Sequence, residues 1–236
     1  MQLLIDSGLV LLGYLLGSIP FGLLVVKFKT GKDIRTVESG RTGGTNAFRA
    51  AGFGAGLLTA ILDVLKGTVA TWIALRVNPD GHWVHILTPL AAILGHNYSI
   101  YLPEFDENHR FVRLRGGAGG APALGGAIGL WWPSVLIILP LGALVFFTLG
   151  YASVTTLSVG LFAIIVFLIR VLIHAPGASW FDVAYGIITL LLLAWALRPN
   201  IKKLINGTER VVSISLHGKL REQREPQNQA KVPDTK

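Results

Sequence analysis

The 236-residue chain contains no cysteine, one methionine, and only 13 acidic residues against 21 lysines and arginines. Without cysteine there is no disulfide and no thiol chemistry, although in so apolar a chain this says little about compartment. The six histidines are scattered, with His82 and His85 the only close pair, and neither HExxH nor CxxC spacing occurs, so the pattern offers no metal site. Charge of either sign is scarce. Charged residues make up 14% of the chain and hydrophobic ones 52%, with a mean hydropathy of +0.57. Soluble domains usually carry about 25% charge, so this composition belongs to a chain whose solvent is lipid. No Asp, Glu, Lys or Arg occurs from Gly116 to Ile169. One membrane-crossing helix needs only ~20 apolar residues, so that interval holds more than one span.

Apolar length and helix breakers predict an all-α, polytopic membrane protein of about seven transmembrane helices, near residues 3–26, 55–76, 84–102, 117–131, 134–151, 154–173 and 181–197. The piece at 117–131 is weakened as a helix by its glycines and Pro122, and a re-entrant segment lodged among neighbours is the alternative. Pro133 marks the turn after it. Residues 1–26 read as a retained first helix: Met1-Gln2 brings no basic leader, and Lys27 and Lys29 follow the apolar run.

Lys and Arg gather in cytoplasmic loops. Lys27, Lys29, Lys32, Arg35, Arg41 and Arg49 fall in the first loop and Arg110, Arg113 and Arg115 in the third, while Arg198 opens a basic tail. The other side holds only Arg76 and Arg170. An odd number of spans then places the N-terminus outside and the C-terminus in the cytoplasm. The net charge of +8 reports topology and anionic headgroups and calls for no nucleic acid. Residues 1–210 read as one membrane domain and 211–236 as a polar, mostly disordered tail.

One polar loop stands out, Ser39-Gly40-Arg41-Thr42-Gly43-Gly44-Thr45-Asn46-Ala47-Phe48-Arg49. Glycines let backbone N–H groups turn toward a ligand, hydroxyls add donors, and the arginine fork matches phosphate oxygens. The loop is either a site for a small phosphorylated molecule or a glycine-rich connector carrying ordinary inner-face charge.

Other motifs accompany it in order. Gly17-Ser18-Ile19-Pro20-Phe21-Gly22 ends the first span, Asp63-Val64-Leu65-Lys66-Gly67 lies in the second, and Gly95-His96-Asn97 ends the third. Tyr151-Ala152-Ser153-Val154-Thr155-Thr156 and Asn200-Ile201-Lys202-Lys203-Leu204, continuing to Gly207-Thr208-Glu209, follow. Together these resemble the bacterial acyl-phosphate:glycerol-3-phosphate acyltransferases, integral membrane enzymes, with Tyr151–Thr156 similar to the family's RYxSLxS and the 200–209 segment to its NIxRLxxGxE.

The resemblance implies transfer of a fatty acyl group from acyl phosphate to the 1-hydroxyl of glycerol 3-phosphate, the first step of phospholipid synthesis. An acyl phosphate is already activated, so no cofactor, ATP, coenzyme A or covalent nucleophile is required, and the protein's task is to position two anions. By the family's pattern Ser39, His96 and Asn97 are catalytic, and Thr45, Asn46, Arg49, Gly116, Gly117, Ser153, Thr156 and Asn200 bind substrate; adjacency to Gly116 adds Arg115 to the substrate-binding set. Each has a plainer reading. Ser39 suits a turn, Arg49 an inner-face anchor, and His96 an interfacial histidine instead of a group that orients the glycerol hydroxyl or accepts its proton. Asp63 and Lys66, one turn apart, read as a structural pair, because an isolated charge inside the membrane is costly. The dyad of His and Asp five residues on, used by other acyltransferases, is absent; His217 meets Glu222 at that offset on the polar tail.

Departures from the family are equally specific. Its GGKGVAT stretch reads Gly116-Gly117-Ala118-Gly119-Gly120-Ala121-Pro122 here, so Ala118 replaces a lysine expected to hold phosphate. The stretch from His96 to Gly116 is longer than the family's spacing and carries Arg110, Arg113 and Arg115, of which Arg113 or Arg115 is the expected substitute cation. Gly150 and Leu197 stand where the family has Arg and His. These losses leave two alternatives: a non-catalytic or altered-substrate relative that binds phosphorylated lipid precursors, and a small transporter built from glycine-broken helices.

Overall fold

The computed structural model describes residues 1–229. Its long elements are helices, as expected. The first apolar stretch, Gln2–Thr30, is divided at Ile19-Pro20 into α1 (Gln2–Ser18) and α2 (Phe21–Thr30). Pro20 has no N–H to continue the ladder, so the single span expected over 3–26 breaks there. α2 stops at Gly31, whose positive φ of 71° lets its N–H close on Lys27 O. A short helix, α3 (Gly44–Ala51), follows the polar loop, and α4 (Phe53–Val77) and α5 (His82–Asn97) complete the first half.

The third span ends five residues earlier than its apolar composition suggests. Tyr98 leaves helical geometry, Ser99 Oγ donates to Ser18 O at 2.5 Å, and Pro103 forbids a continued ladder. The chain instead forms an antiparallel hairpin of β1 (Pro103–Phe105) and β2 (Phe111–Leu114). Asp106 Oδ1 accepts from the N–H groups of Asn108 and Arg110 and closes its turn.

Beyond the hairpin run α6 (Gly120–Leu130), α7 (Val135–Leu149), α8 (Ala152–Leu172) and α9 (Trp180–Ile205). Five stretches are long and apolar enough to cross a bilayer: Gln2–Thr30, Phe53–Val77, Trp132–Leu149, Ala152–Leu172 and Trp180–Ile205. α5 and α6 have 16 and 11 residues. At 1.5 Å per residue α6 reaches only about 16 Å into a hydrocarbon layer of about 30 Å. A further helix, α10 (Leu216–Gln229), occupies much of the stretch read from sequence as a disordered tail, and residues 230–236 lie outside the described residues.

Small residues set the packing. A Cβ on Gly17 would overlap Ala92 O, on Gly67 Pro122 O, and on Gly125 Val64 O, so α1 meets α5 and α4 meets α6 at backbone distance. The interior is built from Ile86, Leu90, Ile93, Leu124, Ile138, Phe167 and Leu193, and Tyr185 donates its hydroxyl to Ala123 O at 2.7 Å. Large apolar side chains such as Trp72, Leu136, Leu161 and Leu191 face outward, as a lipid-immersed surface requires. At the end away from the polar loop, Arg170 lies 3.7 Å from Asp182 and 4.4 Å from the Trp131 ring.

Candidate functional site

The polar loop is held by one side chain. Asn46 is buried, and its Nδ2 donates to Ile34 O, Val37 O and Arg41 O at 3.2, 3.0 and 2.8 Å. An amide with two N–H bonds suits a turn that exposes several carbonyls to one point. Gly40, at φ 65°, turns the chain against the Arg115 guanidinium, and the Thr42 N–H donates to Gly116 O at 3.2 Å. The first loop and the residues after the hairpin are therefore one unit.

Above this unit opens a cavity of about 310 Å³. Three helix N-termini border it: Gly43, Gly44 and Thr45 of α3, Gly119, Gly120 and Ala121 of α6, and Ala152 and Ser153 of α8. Each helix start carries roughly half a positive charge and free N–H groups, which makes their convergence an anion cradle. Arg41, Arg49, Lys203 and Arg210 add cations; Arg210 is ion-paired with Glu38. Ser153 is buried and its Oγ has no hydrogen-bond partner among the described residues. Donors turned toward a ligand-sized space account for a polar atom left open in that way.

Set into the cavity wall, of which Asp63 and His96 form part, is a buried set of three. Lys66 Nζ lies 2.9 Å from Asp63 Oδ1, 2.9 Å from His96 Nδ1 and 3.1 Å from Ile19 O. The Asp63–Lys66 pair expected from spacing thus exists, but it holds His96 as well. An ammonium only donates, so His96 Nδ1 accepts and the imidazole proton is assigned to Nε2. Nε2 packs against Gly117, where a Cβ would overlap it. So assigned, His96 Nε2 offers a donor.

Eight of the twelve residues singled out in the sequence line the cavity: Ser39, Thr45, Asn46, Arg49, His96, Ser153, Thr156 and Asn200. Four lie behind or beside it. Gly116 packs on the His96–Asn97 backbone and Gly117 on the His96 ring, with the Gly117 N–H donating to His96 O at 2.8 Å. Asn97 is buried next to Gly119. Arg115 turns away toward Glu104 Oε1 and Arg35 O, each at 3.4 Å, and Arg113 is exposed and bonded to Glu104 at 2.5 Å. Neither hairpin arginine reaches the cavity, whereas Ala118 does form part of its wall.

The sequence offers Arg41 only as one of the loop's arginine forks, and in the structure it spans to Gly117 and α9. Its Nη1 donates to Gly117 O at 3.3 Å and its Nη2 to Ala196 O at 2.9 Å and Asn200 Oδ1 at 3.0 Å. Asn200 Nδ2 in turn donates to the buried Glu209 at 2.9 Å. Burial pushes the Arg41 guanidinium below its ordinary value while Glu209 opposes that shift, and an arginine stays charged throughout. Only the neighbourhood of Ser39 and Arg49 in the chain hinted at Arg41; its partners on α9 are far away in sequence.

Comparison with known proteins agrees with this geometry. The profile of the glycerol-3-phosphate acyltransferase family matches residues 7–207. The glycerol-3-phosphate acyltransferase of Thermus thermophilus is 38% identical over 200 residues, 85% of this chain and 92% of the relative. That of Myxococcus xanthus is 36% identical over 207 residues, 86% and 98% of the two chains. The crystal structure of PlsY (YgiH), an integral membrane glycerol 3-phosphate acyltransferase in its glycerol 3-phosphate form, superposes with a TM-score of 0.74 at 30% identity and covers 88% of this chain and 95% of that one. With the family's profile spanning most of its length, and with its helices built for lipid, this chain is a multi-pass membrane member of the glycerol-3-phosphate acyltransferase family.

Proposed function

We propose that this protein transfers a fatty acyl group from an acyl phosphate to the 1-hydroxyl of glycerol 3-phosphate, releasing inorganic phosphate and lysophosphatidic acid at the cytoplasmic face of the cell membrane. The observation that carries the reading is the convergence of the α3, α6 and α8 N-termini with Arg41 and Arg49 on one cavity. Two phosphate-bearing reactants repel each other, and oriented donors that offset this repulsion remove much of the barrier to their meeting.

The bond changes need little more. The glycerol oxygen bonds to the acyl carbon as the bond from that carbon to the phosphate oxygen breaks, and the phosphate departs with the hydroxyl proton. His96, with Nε2 protonated, serves as a donor that orients a substrate oxygen. Thr45, Ser153, Thr156 and Asn200 supply further polar contacts, and Ser39 and Asn46 hold the loop. The acyl chain lies along the apolar helices, where each buried methylene contributes about 0.8 kcal/mol. Seven spans are the reading from apolar length, with α5 and α6 added to the five long stretches; given that odd number, the basic residues at the cavity's end of the molecule support an outer N-terminus and an inner C-terminus.

The test is direct. Purified protein in detergent, given acyl phosphate and glycerol 3-phosphate, should yield phosphate and lysophosphatidic acid in equal amounts. Folded protein that binds both reactants without turnover would instead favour the non-catalytic relative to which the change at Ala118 points. Because the chain is free of cysteine, single cysteines at Lys32 and Lys203 report sidedness: both should label only from the cytoplasmic side.

A further inference from the structure

The change at Ala118 has a structural answer on another element. Ala118 is in the cavity wall, so a lysine at that position would border the cavity, and this chain has no cation at that point of the wall; Arg49 and Lys203 line the cavity from α3 and α9. Arg113 and Arg115 do not compensate, because both are engaged by Glu104 outside the cavity. Arg210 is engaged by Glu38. Arg41, in contrast, brings its Nη1 to the carbonyl of Gly117, the residue next to Ala118, while itself lining the cavity.

Its hydrogen bonds orient the group without exhausting it. A guanidinium has five N–H donors. Three are used, on Gly117 O, Ala196 O and Asn200 Oδ1. The Nε–H and one N–H of Nη1 have no acceptor among the described residues. All three acceptors are neutral, so the cation is fixed in place but not neutralised by direct contact; the carboxylate that acts on it, Glu209, is reached through Asn200. A rigid, partly desolvated arginine with free donors is the side chain best matched to phosphoryl oxygens.

We propose that Arg41 is a phosphoryl-binding residue of this cavity and supplies the cation that alanine at position 118 removes. The inference rests on the acyl-transfer reading above and deepens it: the ligand is the phosphoryl group of one reactant, either glycerol 3-phosphate or the acyl phosphate. Charge is moved from the start of α6 to the loop before α3, across the same space.

The experiment compares the wild type with Arg41→Gln, Arg41→Lys and the double variant Arg41→Gln/Ala118→Lys, each checked for a single folded species by size exclusion and thermal unfolding. Glutamine keeps two N–H donors for the carbonyl contacts and loses the charge. Loss of a charge-assisted phosphate contact should raise KM for one of the two reactants by about tenfold or more with a smaller change in kcat. The reactant affected identifies which phosphate Arg41 holds. Lysine at 118 in the glutamine background should recover KM to within about threefold of wild type, because a point charge at that wall binds phosphate too. Unchanged KM values in folded Arg41→Gln overturn the proposal. So does a raised KM that Ala118→Lys leaves untouched, since Arg41 is then a staple between the loop and α9 and nothing more. Should Arg41→Gln fail to fold, Arg41→Lys decides: near-normal KM supports the proposal, and a loss of activity despite the retained charge overturns it. A wild type that produces no lysophosphatidic acid removes the acyl-transfer reading itself, an outcome separate from all of these.

Discussion

Lys66 holds its Nζ 2.9 Å from His96 Nδ1 while pairing with Asp63 at the same distance. The contact ties α4 to α5 and, with the ammonium donating, assigns the histidine proton to Nε2. Lys66→Met would leave the Asp63 carboxylate buried without its cation, a loss of about 3–5 kcal/mol. Asp63→Asn/Lys66→Met, which removes both charges together, should be the more stable of the two in thermal unfolding in micelles. Nitrogen-15 spectra of the His96 ring should show the proton on Nε2; a proton on Nδ1 would contradict the arrangement.

Asn46 offers a sharper test of loop architecture. Its amide donates to three carbonyls, so Asn46→Ala should cost about 1–3 kcal/mol through unpaired acceptors. Asn46→Asp replaces the donor with an acceptor facing those carbonyls and should be worse than alanine both in melting temperature and in turnover. Equal behaviour of the two variants would mean that the amide does not organise the loop.

Close approach of α4 and α6 can be probed at one glycine. A Cβ on Gly125 would meet Val64 O, whereas one on Gly142 in α7 meets nothing within 4 Å. Gly125→Ala is expected to destabilise by about 1–3 kcal/mol, since the helices must part to admit a methyl group. Gly142→Ala should be neutral or stabilising by about 0.5–1 kcal/mol, because alanine loses less backbone freedom on folding. Thermal unfolding of both variants against wild type checks the ordering.

Helices that meet lipid were legible because their apolar runs are long: α4, α7, α8 and α9 lie close to the spans read from composition. The hairpin was not, because Ser99-Ile100-Tyr101-Leu102 is apolar enough to extend α5, and only Pro103 and the Asp106 turn speak against it. Ser39, Thr45 and Arg49, which line the cavity, stand out in the sequence because they are neighbours in one motif. The Arg41–Asn200–Glu209 chain was missed, since it joins positions well over a hundred residues apart and no periodicity encodes it. Arg115 illustrates the opposite error: adjacency to Gly116 suggested the cavity, but the side chain's direction is set by Glu104 on the facing strand.

That direction yields the last prediction. Glu104 is held below the ordinary carboxylate value, chiefly by its hydrogen bond from Arg113, with Arg115 adding to the effect. A carboxylate with a depressed folded-state value stabilises the hairpin above its unfolded value and loses that contribution as pH falls through the folded one. The hairpin should accordingly stay closed at neutral pH and loosen only below the ordinary carboxylate range, seen as faster amide hydrogen exchange over residues 103–114. Glu104→Gln should show the faster exchange already at neutral pH. Arg115→Ala should do likewise and still keep KM for both reactants within about twofold of wild type, because a partly exposed pair of this kind contributes little beyond its own surroundings. A large rise in KM with an unperturbed hairpin would return Arg115 to the substrate site.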